Sequence, residues 1–145
     1  MVANIGLSTV STKTLLIDTG PLLALANNKD SSHNQTKLLL KRIKLEKKVL
    51  LITNTTVYEC YTRILYDVGW TAAIGFLNDL ENSDMLIELI TQEDEKEAKS
   101  ILNKYKNSKI SFVDALNFAV MKRKGYLYAF TYDKDFSIVG FIQYI

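Results

Sequence analysis

Short apolar runs that alternate with helical patterns are the feature that most restricts the fold of this chain. Thr14 to Ile17, Val49 to Thr53 and Tyr128 to Thr131 are brief and largely apolar, as buried strands are. Met85 to Ile90 and Phe141 to Ile145 are two further strand candidates. Strands that alternate with helices indicate a parallel sheet with helices on both faces. We therefore predict a three-layer α/β/α fold around a central, mainly parallel sheet of four to five strands.

The segments between these runs have the apolar spacing of helices. The predicted helices are a short one over Leu22, Leu23 and Leu25, followed by Asp30 to about Lys47, Thr56 to Val68, Thr71 to about Glu81, Glu93 to Tyr105 and Ser111 to about Lys124. Ser111 is placed to cap the last helix, and Gly125 to end it.

The 145 residues, of which 48% are hydrophobic and 23% charged, suffice for one domain with its own core. We predict a flexible N-terminal lead-in over residues 1–12 and a single domain over residues 13–145. The lead-in has no charged side chain and no long apolar run, so we expect neither a signal peptide nor a membrane span, and hence a cytoplasmic protein. Cys60 is the only cysteine, which excludes an intrachain disulfide and a cysteine-based zinc site.

Four carboxylates stand where predicted strands end or predicted helices begin. Asp18 and Asp133 follow strands, and Glu59 and Asp114 lie in the predicted first turns of two helices. Ligands of parallel sheets bind outside the carboxyl ends of the strands, where all four side chains would meet. A hard divalent cation requires several oxygen ligands from separate elements. The four positions together therefore predict a metal site at one edge of the sheet.

Each of these carboxylates, taken singly, also has a purely structural explanation. Thr56 to Glu59 has the pattern of a capping box, and Ser111 to Asp114 is a near variant of it. Asp18 fits a turn-forming residue, while Asp133 and Asp135 fit simple loop acids. The joint arrangement favours the metal site, because independent structural carboxylates have no reason to converge on one edge.

The residues around the acids resemble the four acidic motifs of the PIN domain. The matching segments are Leu16 to Leu23, the helix of Glu59, Ser111 to Leu116 and Thr131 to Phe136, in the order and spacing of that family. The resemblance covers roughly Lys13 to Ile145. The compact length is similar to that of the VapC-type toxins of bacterial and archaeal toxin-antitoxin pairs.

This resemblance implies a PIN-like nuclease domain that uses Mg²⁺ or Mn²⁺. The chain would be an endoribonuclease that hydrolyses RNA phosphodiester bonds by a metal-activated water, and the toxin of a toxin-antitoxin pair. Its products would carry a 5′-phosphate and a 3′-hydroxyl. The catalytic and metal-binding residues would be the acidic quartet Asp18, Glu59, Asp114 and Asp133.

The resemblance also implies different roles within the quartet. Asp18 and Asp114 would be direct ligands, whereas Glu59 would bind through a water or orient the attacking water. Asp133 would complete the site or hold a second ion, and it is preferred to Asp135 as the fourth acid. The supporting residues would be Thr19, Thr131 and Asp135.

Two basic clusters are candidates for contacts with the RNA backbone, which would weaken in salt. The candidate RNA-binding residues are Lys37, Lys41, Arg42 and Lys44 in the first cluster and Lys122, Arg123 and Lys124 in the second. The formal net charge of +2 is too small to identify a nucleic-acid binder. A solvated helix face explains either cluster equally well.

The partners implied by the resemblance are RNA, a second copy of the chain and a protein antitoxin, with no membrane. Such antitoxins lay a C-terminal segment over a hydrophobic groove that leads to the acidic pocket. The stretch from Thr55 to Leu80 has more apolar and aromatic residues than one helix face needs. A partner surface and a thick core explain this excess equally well.

Other functional classes remain open. A catalytically silent PIN-like module that binds RNA or protein fits the same motifs, as does a free-standing RNA-processing nuclease. A phosphatase with Asp18 as its nucleophile is disfavoured, because such enzymes have a second aspartate where this chain has Gly20. No glycine-rich phosphate loop is present in the sequence either. The motifs do not encode the RNA target.

Overall fold

The structure, a computed structural model, describes residues 11–145. Five strands and seven helices alternate along this part of the chain. The strands are β1 (Thr14–Ile17), β2 (Val49–Thr53), β3 (Leu86–Glu88), β4 (Tyr128–Phe130) and β5 (Ile142–Gln143). The helices are α1 (Thr19–Ala26), α2 (His33–Leu45), α3 (Asn54–Asp67), α4 (Trp70–Glu81), α5 (Gln92–Lys104), α6 (Phe112–Lys124) and α7 (Asp135–Val139).

The strands form one sheet in the order β3-β2-β1-β4-β5, and every pairing within it is parallel. This confirms the predicted α/β architecture and resolves the strand number to five. Because β1 lies at the centre, its carboxyl end is flanked by the ends of β2 and β4. Whatever follows these three strands is brought to a common edge.

Two apolar layers hold the helices against the two faces of the sheet. On one face, Leu15 and Ile17 of β1 pack into a core with residues of α1 to α4. On the other face, Leu16 packs with Phe118 of α6 and Phe136 of α7. The alternation of buried side chains along β1 thus serves both layers, which is why its sequence reads as a continuous apolar run.

The start of α3 differs from the prediction. Its N-cap is Thr53, whose side chain accepts a hydrogen bond from the backbone N–H of Thr56. The predicted capping box from Thr56 to Glu59 is therefore wrong, and Glu59 lies in the second turn instead of the first. A real capping box occurs at α5, between Thr91 and Asp94.

Two further predictions concern the ends of the chain. The helix α7 was not expected from the sequence, and it begins at Asp135, directly after the fourth acidic motif. The predicted lead-in over residues 1–12 lies almost wholly outside the described residues, although Ser11 pairs with Tyr126. None of the helices within residues 11–145 is long and apolar enough to cross a bilayer.

Candidate metal centre

The carboxyl edge of the sheet presents polar side chains on three neighbouring strands. Parallel register aligns Asp18, which follows β1, with Thr53 at the end of β2 and with Thr131 just after β4. All three residues are buried, with exposures of 4%, 0% and 0% respectively. A buried carboxylate between two hydroxyl-bearing neighbours is unlike the apolar core beneath it, and it marks this edge as the candidate site.

Only one of the two carboxylate oxygens of Asp18 accepts a hydrogen bond. The Thr131 hydroxyl donates a 2.8 Å hydrogen bond to its Oδ2 atom. Its Oδ1 atom is buried and accepts no hydrogen bond, which distinguishes it among the buried side-chain atoms of residues 11–145. A buried oxygen without a donor is costly unless another group compensates it.

Asp133 is held by the turn that links β4 to α7. Its backbone N–H donates to the Thr131 hydroxyl at 3.0 Å, so Thr131 connects it to Asp18. Its Oδ1 atom accepts the backbone N–H of Asp135 at 2.9 Å. Asp135 therefore supports the position of Asp133 through its main chain, at the first residue of α7.

Asp114 reaches the same edge from the first turn of α6. Ser111 caps this helix by accepting the backbone N–H of Asp114 at 3.1 Å. Asp18, Asp114 and Asp133 each bring one carboxylate oxygen within 4.8 Å of the others. The structure thus unites three of the four predicted acids in one group.

The electrostatics of the group follow from burial and mutual repulsion. Burial raises the pKa of Asp18, and the charges of Asp133 and Glu59 add to the rise, although the Thr131 hydroxyl partly offsets it. Burial, together with the charge of Asp18, raises the pKa of Asp114 to about 7. Burial and the nearby Asp133 also raise the pKa of Asp135. These carboxylates disfavour their charged forms until a compensating positive charge is supplied.

Glu59 lies beside this group and outside it. Its charge contributes to the raised pKa of both Asp18 and Asp114, so it is within electrostatic reach of them. Its Oε1 atom lies 4.0 Å from a guanidinium nitrogen of Arg63, one turn further along α3. The position suits a role at the rim of the site.

Two further residues close to the acids are Thr19 and Cys60. Thr19, predicted as a supporting residue, is buried at the first residue of α1, and Cys60 is fully buried on α3. Burial, reinforced by the charge of Glu59, raises the pKa of Cys60 to about 12. The thiol therefore stays protonated near neutral pH and is a poor nucleophile.

Sequence reasoning missed a buried polar network next to the acids. Asn117 of α6 is fully buried and hydrogen-bonds with Thr53 and Thr56 at the junction of β2 and α3. The only signal in the sequence is an amide inside the apolar run from Ala115 to Met121. Tyr132 was also missed; its hydroxyl lies 2.6 Å from that of Thr36, which ties α2 to the loop of Asp133.

The second basic cluster is engaged in ion pairs. Arg123 binds the carboxylate of Asp94 at 2.8 and 2.9 Å and Glu88 at 3.0 Å. Lys124 pairs with the same Glu88 at 3.3 Å, and Lys122 pairs with Glu97 at 2.6 Å. These residues end α6, roughly 12–15 Å from Asp114 at the helical rise of about 1.5 Å per residue.

The first basic cluster lies along α2. Lys37, Lys41 and Lys44 are exposed on this helix. Lys37 follows Thr36, whose hydroxyl lies 2.6 Å from that of Tyr132, the residue before Asp133. Arg42 is committed elsewhere: its guanidinium lies 4.6 Å from the ring centre of Tyr144 and donates to the hydroxyl of that residue at 3.0 Å.

The apolar excess between Thr55 and Leu80 serves mainly the core. Ile64 is buried, and the partly buried members that pack against the same core are Tyr61, Leu65, Phe76 and Leu77. The exceptions are the exposed residues Tyr58, Tyr66, Val68 and Trp70, of which Tyr66 is the most exposed at 82%. An apolar groove between α1, α2 and α4 is lined by Leu22, Leu25, Phe76 and Leu80.

Comparison with known proteins relates the chain to a nuclease family. Residues 15–142 match the PIN domain. The 23S rRNA-specific endonuclease VapC20 of Mycobacterium tuberculosis, from strains CDC 1551 / Oshkosh and ATCC 25618 / H37Rv, is 30% identical over 129 residues. This alignment covers 89% of the present chain and 96% of the relative.

Solved structures agree with the sequence comparison. The crystal structure of M. tuberculosis VapC20, a sarcin-ricin loop cleaving toxin, superimposes with a TM-score of 0.79 at 30% identity, covering 88% of this chain and 96% of that chain. VapBC2 of Rickettsia felis, bound to a DNA fragment from its promoter, gives a TM-score of 0.64 at 16% identity, covering 90% and 96%. The second likeness concerns the fold alone.

Proposed function

We propose that this chain, which belongs to the PIN domain family, is a Mg²⁺- or Mn²⁺-dependent endoribonuclease and the toxin of a toxin-antitoxin pair. The observation that carries the proposal is the convergence of Asp18, Asp114 and Asp133 within 4.8 Å at the carboxyl edge of a parallel sheet. Carboxylates from three separate elements have no shared structural task there. A common cation gives them one.

The side chains present fit a hard divalent cation. Mg²⁺ and Mn²⁺ prefer carboxylate oxygens, and the Asp18 Oδ1 atom is a buried acceptor without a hydrogen-bond donor. Asp18 and Asp114 would be the direct ligands, with Asp133 completing the set. When bound, the ion would supply positive charge to the phosphate and acidify a water molecule.

The protein's own groups would orient the reaction. Thr131 holds one oxygen of Asp18 and the main chain of Asp133, so it fixes two of the acids relative to each other. Glu59, at the rim, is assigned to orient the attacking water and to accept its proton. Because the Cys60 thiol stays protonated near neutral pH, we assign the role of nucleophile to water.

The proposed substrate is ribosomal RNA. The relative VapC20 is a 23S rRNA-specific endonuclease, and its alignment with this chain, at 30% identity, covers 96% of its length. Lys37 and Lys41, exposed on α2, would contact the RNA backbone, since Thr36 of the same helix contacts Tyr132 beside Asp133. Lys122, Arg123 and Lys124 are paired with acids at the far end of α6 and receive no part of this role.

The proposed partners are a protein antitoxin and a second copy of the chain, in the cytoplasm. The groove formed by Leu22, Leu25, Phe76 and Leu80 would accept an apolar antitoxin segment, since α1 begins directly after Asp18 and leads from the groove to the acidic edge. Exposed aromatic residues such as Tyr58 and Trp70 would suit a contact between copies.

The test is cleavage of total cellular RNA by the purified chain with Mn²⁺, followed by mapping of the new ends. We expect few discrete cuts, in ribosomal RNA, that carry 5′-phosphates and vanish with Asp114→Asn. Cuts confined to precursor transcripts would favour a free-standing processing nuclease. An RNA-binding chain that cuts nothing, with Asp114→Asn behaving alike, would identify a silent module.

A further inference from the structure

We propose that Asn117 is a positioning residue that, through Thr53 and Thr56, fixes the helix carrying Asp114 relative to the helix carrying Glu59. This role rests on the metal site proposed above, and it concerns the relative positions of the acids in that site. Asn117 is fully buried, and its side chain hydrogen-bonds with Thr53 and Thr56. It would act through the three elements that its hydrogen bonds connect.

The network consists of short bonds between fully buried groups. The Thr53 hydroxyl donates to Oδ1 of Asn117 at 2.7 Å, and Nδ2 of Asn117 donates to the Thr56 hydroxyl at 3.1 Å. The two threonine hydroxyls lie 2.9 Å apart. Thr53 also accepts the backbone N–H of Thr56 at 3.3 Å, so the first turn of α3 is part of the same network.

The position of the network in the fold points to the site. Asn117 lies three residues after Asp114 on α6, and Thr56 lies three residues before Glu59 on α3. Residues three apart share a helix face, so both acids stand one turn from a member of the network. Thr53 lies level with Asp18 at the sheet edge. The side-chain amide of Asn117 thus connects the backbone segments that carry Asp114, Glu59 and Asp18.

A merely structural purpose does not require such polarity. The positions that flank it in sequence are buried and apolar, with Leu116 and Phe118 on either side of Asn117 and Ile52 before Thr53. Apolar side chains of similar size fill such a volume at least as favourably as a hydrogen-bonded group. Hydrogen bonds add a fixed direction and distance, which apolar contacts do not supply. Ligands of a cation require that precision.

The decisive variant removes both partners together. Thr56→Val with Asn117→Leu replaces the pair by apolar groups of similar shape and leaves the Thr53 cap on α3 intact. No polar atom is orphaned within the replaced pair, and the Thr53 hydroxyl, which loses both acceptors, keeps the Thr55 hydroxyl at 3.3 Å. We therefore expect a metal-free melting temperature only slightly below that of the wild type. Thr56→Ser, which keeps the hydroxyl, is the conservative counterpart. Ile64→Val is a buried control on the same helix.

The measurement is the affinity for Mn²⁺ by titration calorimetry, with the metal-free melting temperature of each variant in EDTA. We expect the double variant to bind Mn²⁺ about tenfold more weakly, as removal of a group that orients metal ligands does, and Thr56→Ser and Ile64→Val to bind like the wild type. If the double variant does not fold, Asn117→Ser, which keeps a hydroxyl but shortens the reach, is expected to show the same weakening.

Two results would overturn the inference and are distinguishable. Folded variants that bind Mn²⁺ within twofold of the wild type, while Asp114→Asn loses binding, would leave the metal site standing and remove the role of Asn117. A wild-type chain that takes up no Mn²⁺, or binds it as Asp114→Asn does, would overturn the site and the positioning role together.

Discussion

Thr131 donates a 2.8 Å hydrogen bond to one carboxylate oxygen of Asp18, while the other oxygen, Oδ1, is buried without a donor. The hydrogen bond fixes the orientation of the carboxylate. The unpartnered Oδ1 atom is left available for a positively charged ligand. The same hydroxyl accepts the backbone N–H of Asp133. A single threonine therefore aligns two of the three acids at this edge.

Thr131→Val tests that alignment. The substitution keeps the β-branched shape but removes the hydroxyl, so Asp18 gains freedom and the Asp133 main chain loses its acceptor. We expect Mn²⁺ affinity to fall about tenfold, as for other groups that orient metal ligands. Thr131→Ser is the matched control and should retain most of the affinity. Equal affinity in Thr131→Val and the wild type would show that this bond does not prepare the site.

Divalent cations should stabilise the fold. Two carboxylates about 4 Å apart repel by about 4 kcal/mol at an effective dielectric near 20, so a cation among three of them relieves a large cost. We expect Mg²⁺ or Mn²⁺ to raise the melting temperature by several degrees and Asp18→Asn to lessen the rise. Scanning calorimetry with and without EDTA measures both. A chain that melts at the same temperature in every condition would speak against the site.

Asp114 should make the metal-free protein less stable as the pH rises. Its pKa is about 7 in the folded chain against an ordinary value of 3.8, so between these values the folded state holds a proton that the unfolded state has lost. Stability from this group is therefore lost as the pH rises from about 4 to about 7 and changes little above about 8.

Asp114→Asn should remove this dependence. In EDTA, we expect the variant to match the wild type near pH 4 and to be more stable by about 2 kcal/mol at pH 8, a value already reduced for partial exposure. Urea denaturation across this pH range measures the difference. A variant that is less stable than the wild type at pH 8 would contradict the raised pKa.

The parallel sheet and three of the acids were predictable, because strand runs and their following residues are local features. The role of Glu59 was harder, since Thr53 ends a strand and caps the next helix at once, which moved the helix start by two residues from Thr56. Because no loop residue separates β2 from α3, the sequence does not show that Thr53 serves both elements. Glu59 consequently lies one turn deeper than predicted.

The remaining features depend on contacts between residues that are far apart in the sequence, and these contacts could not be predicted. Lys122 to Lys124 form a basic cluster in sequence, yet each is paired with an acid on β3 or α5, twenty-five or more residues away. Asn117 is likewise explained only by Thr53 and Thr56, more than sixty residues earlier. Periodicity identifies the faces of elements but does not identify such partners.

The two basic clusters should therefore differ in RNA binding. We expect Lys37→Ala and Lys41→Ala each to weaken binding and to reduce the dependence of log affinity on log salt by roughly 0.7–0.9 for each phosphate that is no longer neutralised. Lys99→Ala, on α5, is a charge-matched control. Fluorescence anisotropy in a catalytically silent Asp114→Asn background measures the affinities. A larger fall in affinity for Lys122→Ala than for Lys37→Ala would reverse the assignment.

The most direct test is the rate of RNA cleavage as a function of Mn²⁺ concentration, for the wild type, Asp18→Asn and the neighbouring control Asp135→Asn. We expect no cleavage in EDTA, a rate that saturates with Mn²⁺, a loss of about 10³-fold in Asp18→Asn and a much smaller loss in Asp135→Asn. Cleavage that persists in EDTA, or that Asp18→Asn performs at the wild-type rate, would contradict a metal-dependent nuclease built on these carboxylates.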